Sequence, residues 1–148
     1  MTLNFLRRMS IHKPTYKKLS EEIINLLKLK KVDEIEKIVN EIHPADIADI
    51  LEILNEKDNH KLKEIIENKK YAEAIIELDE NVKNIFLSKF SADTIANDLI
   101  NQLESDDAVD IILELKDDKK EKVLSQIKNQ SILKNIKTLL KYESNTAG

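Results

Sequence analysis

Three aspartates crowd one short stretch of the chain: Asp106, Asp107 and Asp110 in "ESDDAVDIILEL" (104–115). Carboxylates three and four residues apart share one surface of a helix. Two kinds of chemistry are open to them. Acids in a first helical turn favour the positive end of the helix dipole, by about 0.3–1 kcal/mol each. Three together exceed that need, because their mutual repulsion offsets part of the gain. Outward carboxylates are also oxygen ligands for a hard cation such as magnesium, which keeps several waters and takes one or two carboxylates plus a ligand from elsewhere.

Other chemistries find little support. There is no cysteine, and His12, His43 and His60 are scattered without zinc-ligand spacing, so soft metals are disfavoured. The one glycine is Gly148, which leaves no glycine-bearing calcium loop and no glycine-rich phosphate loop. No serine, histidine and acid arrangement carries a nucleophile motif, so no catalytic residue is expected. His43, just before Pro44, reads as a packed or capping side chain, and His60 as part of an exposed charged face.

Charge is unevenly spread. Residues 1–31 carry a net +6, residues 32–115 a net −14 and residues 116–148 a net +4. The acidic middle would repel a phosphate backbone, and no basic–aromatic stripe offers it a path, so a nucleic-acid partner is not expected. It would attract cations or basic partners. No apolar run approaches the roughly 18–20 residues of a membrane span, so the segment reads as soluble.

The elements that must position the acids are helical. Charged residues make up 35% and aromatics 4% of 148 residues, and glycine to turn a sheet is missing. A repeat is visible. "IADILEIL" (47–54), "YAEAIIEL" (71–78) and "AVDIILEL" (108–115) align with an acid at the third place, and each is followed by a polar start and a second apolar pattern. "SADTIANDLINQL" (91–103) resembles another first half. A unit this short holds two helices that bury their apolar face only by stacking on neighbours. The expectation is an all-α superhelix, an α-solenoid winding right or left. About ten short helices fall at 17–30, 33–42, 44–54, 57–67, 69–77, 80–89, 92–103, 106–115, 118–128 and 130–142. Pro44 suits a first helical position, Ser91 and Ser105 suit N-caps, and Asn55, Asn68 and Asn129 suit left-handed caps. Residues 1–16 read as a basic, flexible extension and 17–148 as the helical domain. The repeat puts Asp49, Glu73 and Asp110 in one column, with Asn97 at the matching place of the partial unit.

"EIHPADIADILEIL" (41–54), "ESDDAVDIILEL" (104–115) and the closing "KYESNTAG" (141–148) together resemble the cytosolic N-terminal domain of MgtE-type magnesium transporters over roughly residues 19–148. The resemblance implies a helical superhelix that ends where a pair of CBS domains begins, on the cytoplasmic face of a homodimeric membrane protein. It implies a regulatory role: magnesium bridges acidic surfaces of the N and CBS domains and favours pore closure. It implies Glu73, Asp106 and Asp110 as magnesium ligands, with Asp107 next, forming a site that is weak or incomplete in this domain alone; Asp49 is a further candidate on the repeat column only. Two departures stand out: Ala92 and Ser105 sit where the family often has proline after the cap, and "ESNTAG" is less acidic than many relatives. The competing reading is a helical interaction module like the middle domain of the flagellar rotor protein FliG, which has a comparable His-Pro helix start.

Overall fold

The computed structural model describes residues 13–147, with side chains placed for residues 17–142. The described chain is a succession of ten helices without a strand. They are α1 (Lys13–Lys28), α2 (Val32–Glu41), α3 (Pro44–Ile53), α4 (Glu56–Ile65), α5 (Asn68–Ile76) and α6 (Glu80–Lys89), then α7, α8 (Ser105–Glu114), α9 (Asp117–Ser125) and α10 (Gln130–Ala147). α7 is composite: an α-helical turn (Ala92–Thr94), a π-helical turn (Ile95–Leu99) and a 3-10 turn (Ile100–Gln102). The all-α expectation holds. The first helix begins at Lys13, ahead of the expected residue 17. Of the expected extension, residues 1–12, His12 among them, lie outside the described residues.

How so many helices turn without glycine has a simple answer. Six of the connections are two extended residues, the first apolar and the second polar: Ile42–His43, Leu54–Asn55, Ile66–Glu67, Phe90–Ser91, Leu103–Glu104 and Leu115–Lys116. Extended backbone needs no positive φ, so any residue serves. Where the first of the pair is tucked under the helix it ends, as Leu54, Ile66 and Leu115 are, it adds to the core. The second starts the next helix. The asparagines are therefore not left-handed caps. Asn55 accepts from the Asp58 N–H at 2.8 Å, Asn129 accepts from Ser131 and Ile132, and Asn68 is simply the first residue of α5. These are helix starts, where a short side-chain oxygen satisfies an orphan N–H. Among the described residues the left-handed position is Lys30 (φ 57°). There Lys31 N–H bonds Leu26 O and Lys30 N–H bonds Leu27 O, the paired closure of a Schellman turn.

Two compact units divide at Leu78 and Asp79. In the first, α3 is central and packs against α1 and α5. Its sequence "PADIADILEI" buries Ala45, Ile47, Ala48, Ile50 and Leu51, joined by Ile23 from α1, Ile35 from α2, Leu62 from α4 and Ile75 from α5. Each buried leucine or isoleucine among them stabilises the fold by about 1.5–3 kcal/mol. In the second unit α8 is central, packed against α9 and α10. Its inner face is Ala108, Val109, Ile111 and Ile112, met by Val123 of α9 and Ile136 of α10. The spacing of those inner residues decides which α8 side chains point outward, and so where the aspartates go.

Candidate functional site

The acids of α8 are placed by the way the helix begins. Leu103 and Glu104 are both extended, so the chain enters the helix at Ser105. Ser105 was expected to cap; instead Glu104 holds the N-cap position and its side chain makes no capping bond. Asp106 and Asp107 then supply the negative charge of the first turn. Asp106 and Asp110 are exposed, one turn apart, opposite the buried Ala108, Ile111 and Ile112. Leu113, 43% exposed, continues the same outer stripe. Asp107 is rotated partly inward and half-buried. Neither Asp106 nor Asp110 has a hydrogen-bond or ion-pair partner among the described residues.

The structure therefore brings together Asp106, Asp107 and Asp110, on one helix. Glu73 stands in the other unit, exposed on α5, whose opposite face buries Tyr71, Ala72, Ala74 and Ile75. Asp49 is half-buried on α3. Asn97 sits in the π-helical turn, and its amide donates to Asp93 Oδ1 at 2.8 Å. The partial repeat is thus distorted at the place where the column would continue. Among the described residues no group of three or more histidines and carboxylates is arranged to hold a metal. Asp106 and Asp110 form half a site at most. Their donor set, carboxylate oxygen alone, fits magnesium rather than a softer metal, and leaves the remaining ligands to water or another surface.

Several charged groups that the sequence did not single out hold the frame. Lys83 of α6 lies 3.6 Å from Glu114 Oε1 on α8. Lys119 of α9 donates to the carbonyls of Leu87 and Ser88 at 2.9 and 3.2 Å, closing the C-terminal end of α6, and its burial lowers its titration point. Lys70 of α5 does the same for the Asn40 carbonyl of α2 at 3.0 Å. A cation at a helix C-terminus meets orphan carbonyls and the negative dipole end. No local sequence pattern announces such pairs, which span about thirty residues. His43 does cap, as expected: its Nδ1 accepts from Ala45 N–H at 3.0 Å, while Asp46 accepts from the His43 N–H at 3.2 Å. His60 is exposed.

Among the described residues no helix is long and apolar enough to cross a membrane. No curated protein sequence matches the chain. A solved structure, described as the crystal structure of the soluble part of a magnesium transporter, is similar in fold, with a TM-score of 0.75 and 23% identity over 86% of this chain. The chain spans 50% of that one. The model of the family described as the MgtE intracellular N domain matches residues 42–145, which include the capped start of α3, the central α8 and its three aspartates. The chain belongs to the MgtE intracellular N domain family.

Proposed function

We propose that this domain is the magnesium-responsive regulatory part of a magnesium transporter. In this reading the outward carboxylates Asp106 and Asp110, with Glu73 on the first unit and Asp107 in support, share Mg2+ with an acidic surface on a CBS domain of the same protein, on the cytoplasmic side of the membrane. The observation that carries it is the unpaired outward pair on α8, in a chain of this family. Two acidic surfaces repel each other. Ions between them replace repulsion with shared ligation, so the docked state gains population only when magnesium is plentiful. Docking favours a closed pore, and loss of the ions releases the domain. The whole protein is a homodimer in this reading.

Amide NMR of the isolated domain during magnesium titration, with potassium chloride at matched ionic strength as control, tests the proposal. Saturable shifts at Asp106 and Asp110, absent in Asp106→Asn/Asp110→Asn, are expected. The same titration on a chain extended through the adjoining domains should show tighter saturation at the same residues. If magnesium and potassium act alike in both chains, the reading fails.

A further inference from the structure

We propose that Lys83 of α6 sets how tightly the acidic face of α8 holds magnesium, by withholding a third carboxylate, that of Glu114, from the ion. The inference rests on the regulatory reading and deepens it. α8 carries acids in steps of four: Asp106, Asp110 and Glu114. Four residues exceed one helical turn by about 40°, so the three share one side of the helix and the last lies at its flank. Their surroundings differ. Asp106 and Asp110 are exposed and unpaired among the described residues. The Glu114 side chain is 19% exposed, and its Oε1 lies 3.6 Å from Nζ of Lys83, whose own side chain is 13% exposed. Glu114 Oε2 is buried, with no hydrogen-bond partner among the described residues.

A contact that served only to hold α6 on α8 would be built otherwise. A charge-assisted hydrogen bond between ammonium and carboxylate spans about 2.7–2.9 Å. A pair taken out of water offsets its desolvation only when the remaining oxygens also have donors. Here the pair is long and one oxygen is orphaned. α6 is also fastened elsewhere, by Leu87 in the core and by Lys119 on the Leu87 and Ser88 carbonyls. What the pair does accomplish is electrostatic. Glu114 follows Asp110 by roughly 6 Å along the axis, so an ion on the aspartates stands on the order of 10 Å from the Lys83 ammonium. At that range in water, one unit charge changes the affinity for a divalent cation by about fourfold. Lys83 thus repels the ion directly and cancels the carboxylate that would otherwise strengthen its hold. The ion meets two free carboxylates where the helix carries three.

The test repeats the magnesium titration on both chains, at low ionic strength so that screening does not remove the effect. Lys83→Gln should lower the midpoint at Asp106 and Asp110 about fourfold or more. Glu114→Gln, which leaves the ammonium without its counter-charge, should raise the midpoint by at least as much. The double variant should fall between the two. Lys83→Arg, which keeps the charge, should stay within about twofold of the wild type. Opposite shifts from the two ends of one contact are the signature, because a contact serving stability alone would move both midpoints the same way or neither. Lys137→Gln changes the net charge equally on the exposed side of α10 and should leave the midpoint in place. Circular dichroism checks that each variant folds, and Lys83→Met, with the same expected direction, substitutes if the glutamine variant does not. A midpoint that loss of the Lys83 charge leaves unchanged or raises overturns the inference, and so does an equal fall in Lys137→Gln. If the wild type shows no magnesium-specific shift in either chain, the regulatory reading has failed and this one falls with it. If the wild type responds and only the Lys83 shift is missing, the regulatory reading stands without this inference.

Discussion

At the scale of single residues, capping and burial set the energetics more than the acidic pair does. His43 and Asp46 close a reciprocal cap at the start of α3, the most buried helix of its unit. His43→Ala is expected to cost about 1 kcal/mol in urea unfolding, whereas His43→Asn, whose oxygen can still accept from the first turn, should cost only a few tenths. Tyr71 gives the clearest pH dependence. It is 2% exposed, and burial pushes its hydroxyl well above the ordinary value of 10.0. In the unfolded chain it ionises at that ordinary value; in the fold it holds its proton. Its contribution is therefore fully present below pH 10 and is lost as pH rises beyond it, with a slope approaching about 1.4 kcal/mol per unit. Unfolding of the wild type and of Tyr71→Phe, compared between pH 8 and 11, should diverge in that direction. Equal pH profiles would show that the hydroxyl reaches solvent.

At the scale of elements, the apolar period and the Pro44 start made helices easy to see, while their joints were read wrongly. Asn55, Asn68 and Asn129 looked like glycine substitutes because a helical turn without glycine demands one, unless the chain leaves each helix in extended form. It does so at Leu54 and Leu115, and the joint needs no special residue. The legible signal was the pair itself, an apolar residue followed by a polar one, recurring at six of the helix ends. The left-handed duty falls on Lys30, which no pattern marks. A side chain there pays a steric cost that glycine avoids, so Lys30→Gly should raise stability by up to about 1 kcal/mol, and Lys30→Val should lower it by more. The lysine that ties α9 to α6 was illegible for a different reason: its partners are backbone carbonyls 31 and 32 residues away. Lys119→Ala should quicken amide hydrogen exchange at the C-terminal end of α6 and leave α8 unchanged. Of the candidate site, the helix that carries the aspartates and the outward position of Asp106 and Asp110 were readable from period alone. The inward turn of Asp107 and the uncapped start at Glu104 depend on the bend at Leu103, which the sequence does not display.

At the scale of the whole molecule, charge separation bears on the reading of α8. The acidic stretch 32–115 carries a net −14 between ends of +6 and +4. Like charges held near one another destabilise a compact state, and any salt relieves part of that repulsion. Screening follows ionic strength alone. Ligation follows the ion, because a cation that binds the folded form and not the unfolded chain adds RT ln(1 + [L]/Kd). At ten times its dissociation constant magnesium would therefore add about 1.4 kcal/mol beyond potassium chloride of equal ionic strength. In a domain of this size that is a rise of about 2–6 °C in melting temperature. The excess should vanish in Asp106→Asn/Asp110→Asn and persist in Glu121→Gln, an exposed acid of α9. An excess that remains after both aspartates are neutralised would move the ion elsewhere on the acidic stretch. Its loss would place the ion on these two side chains.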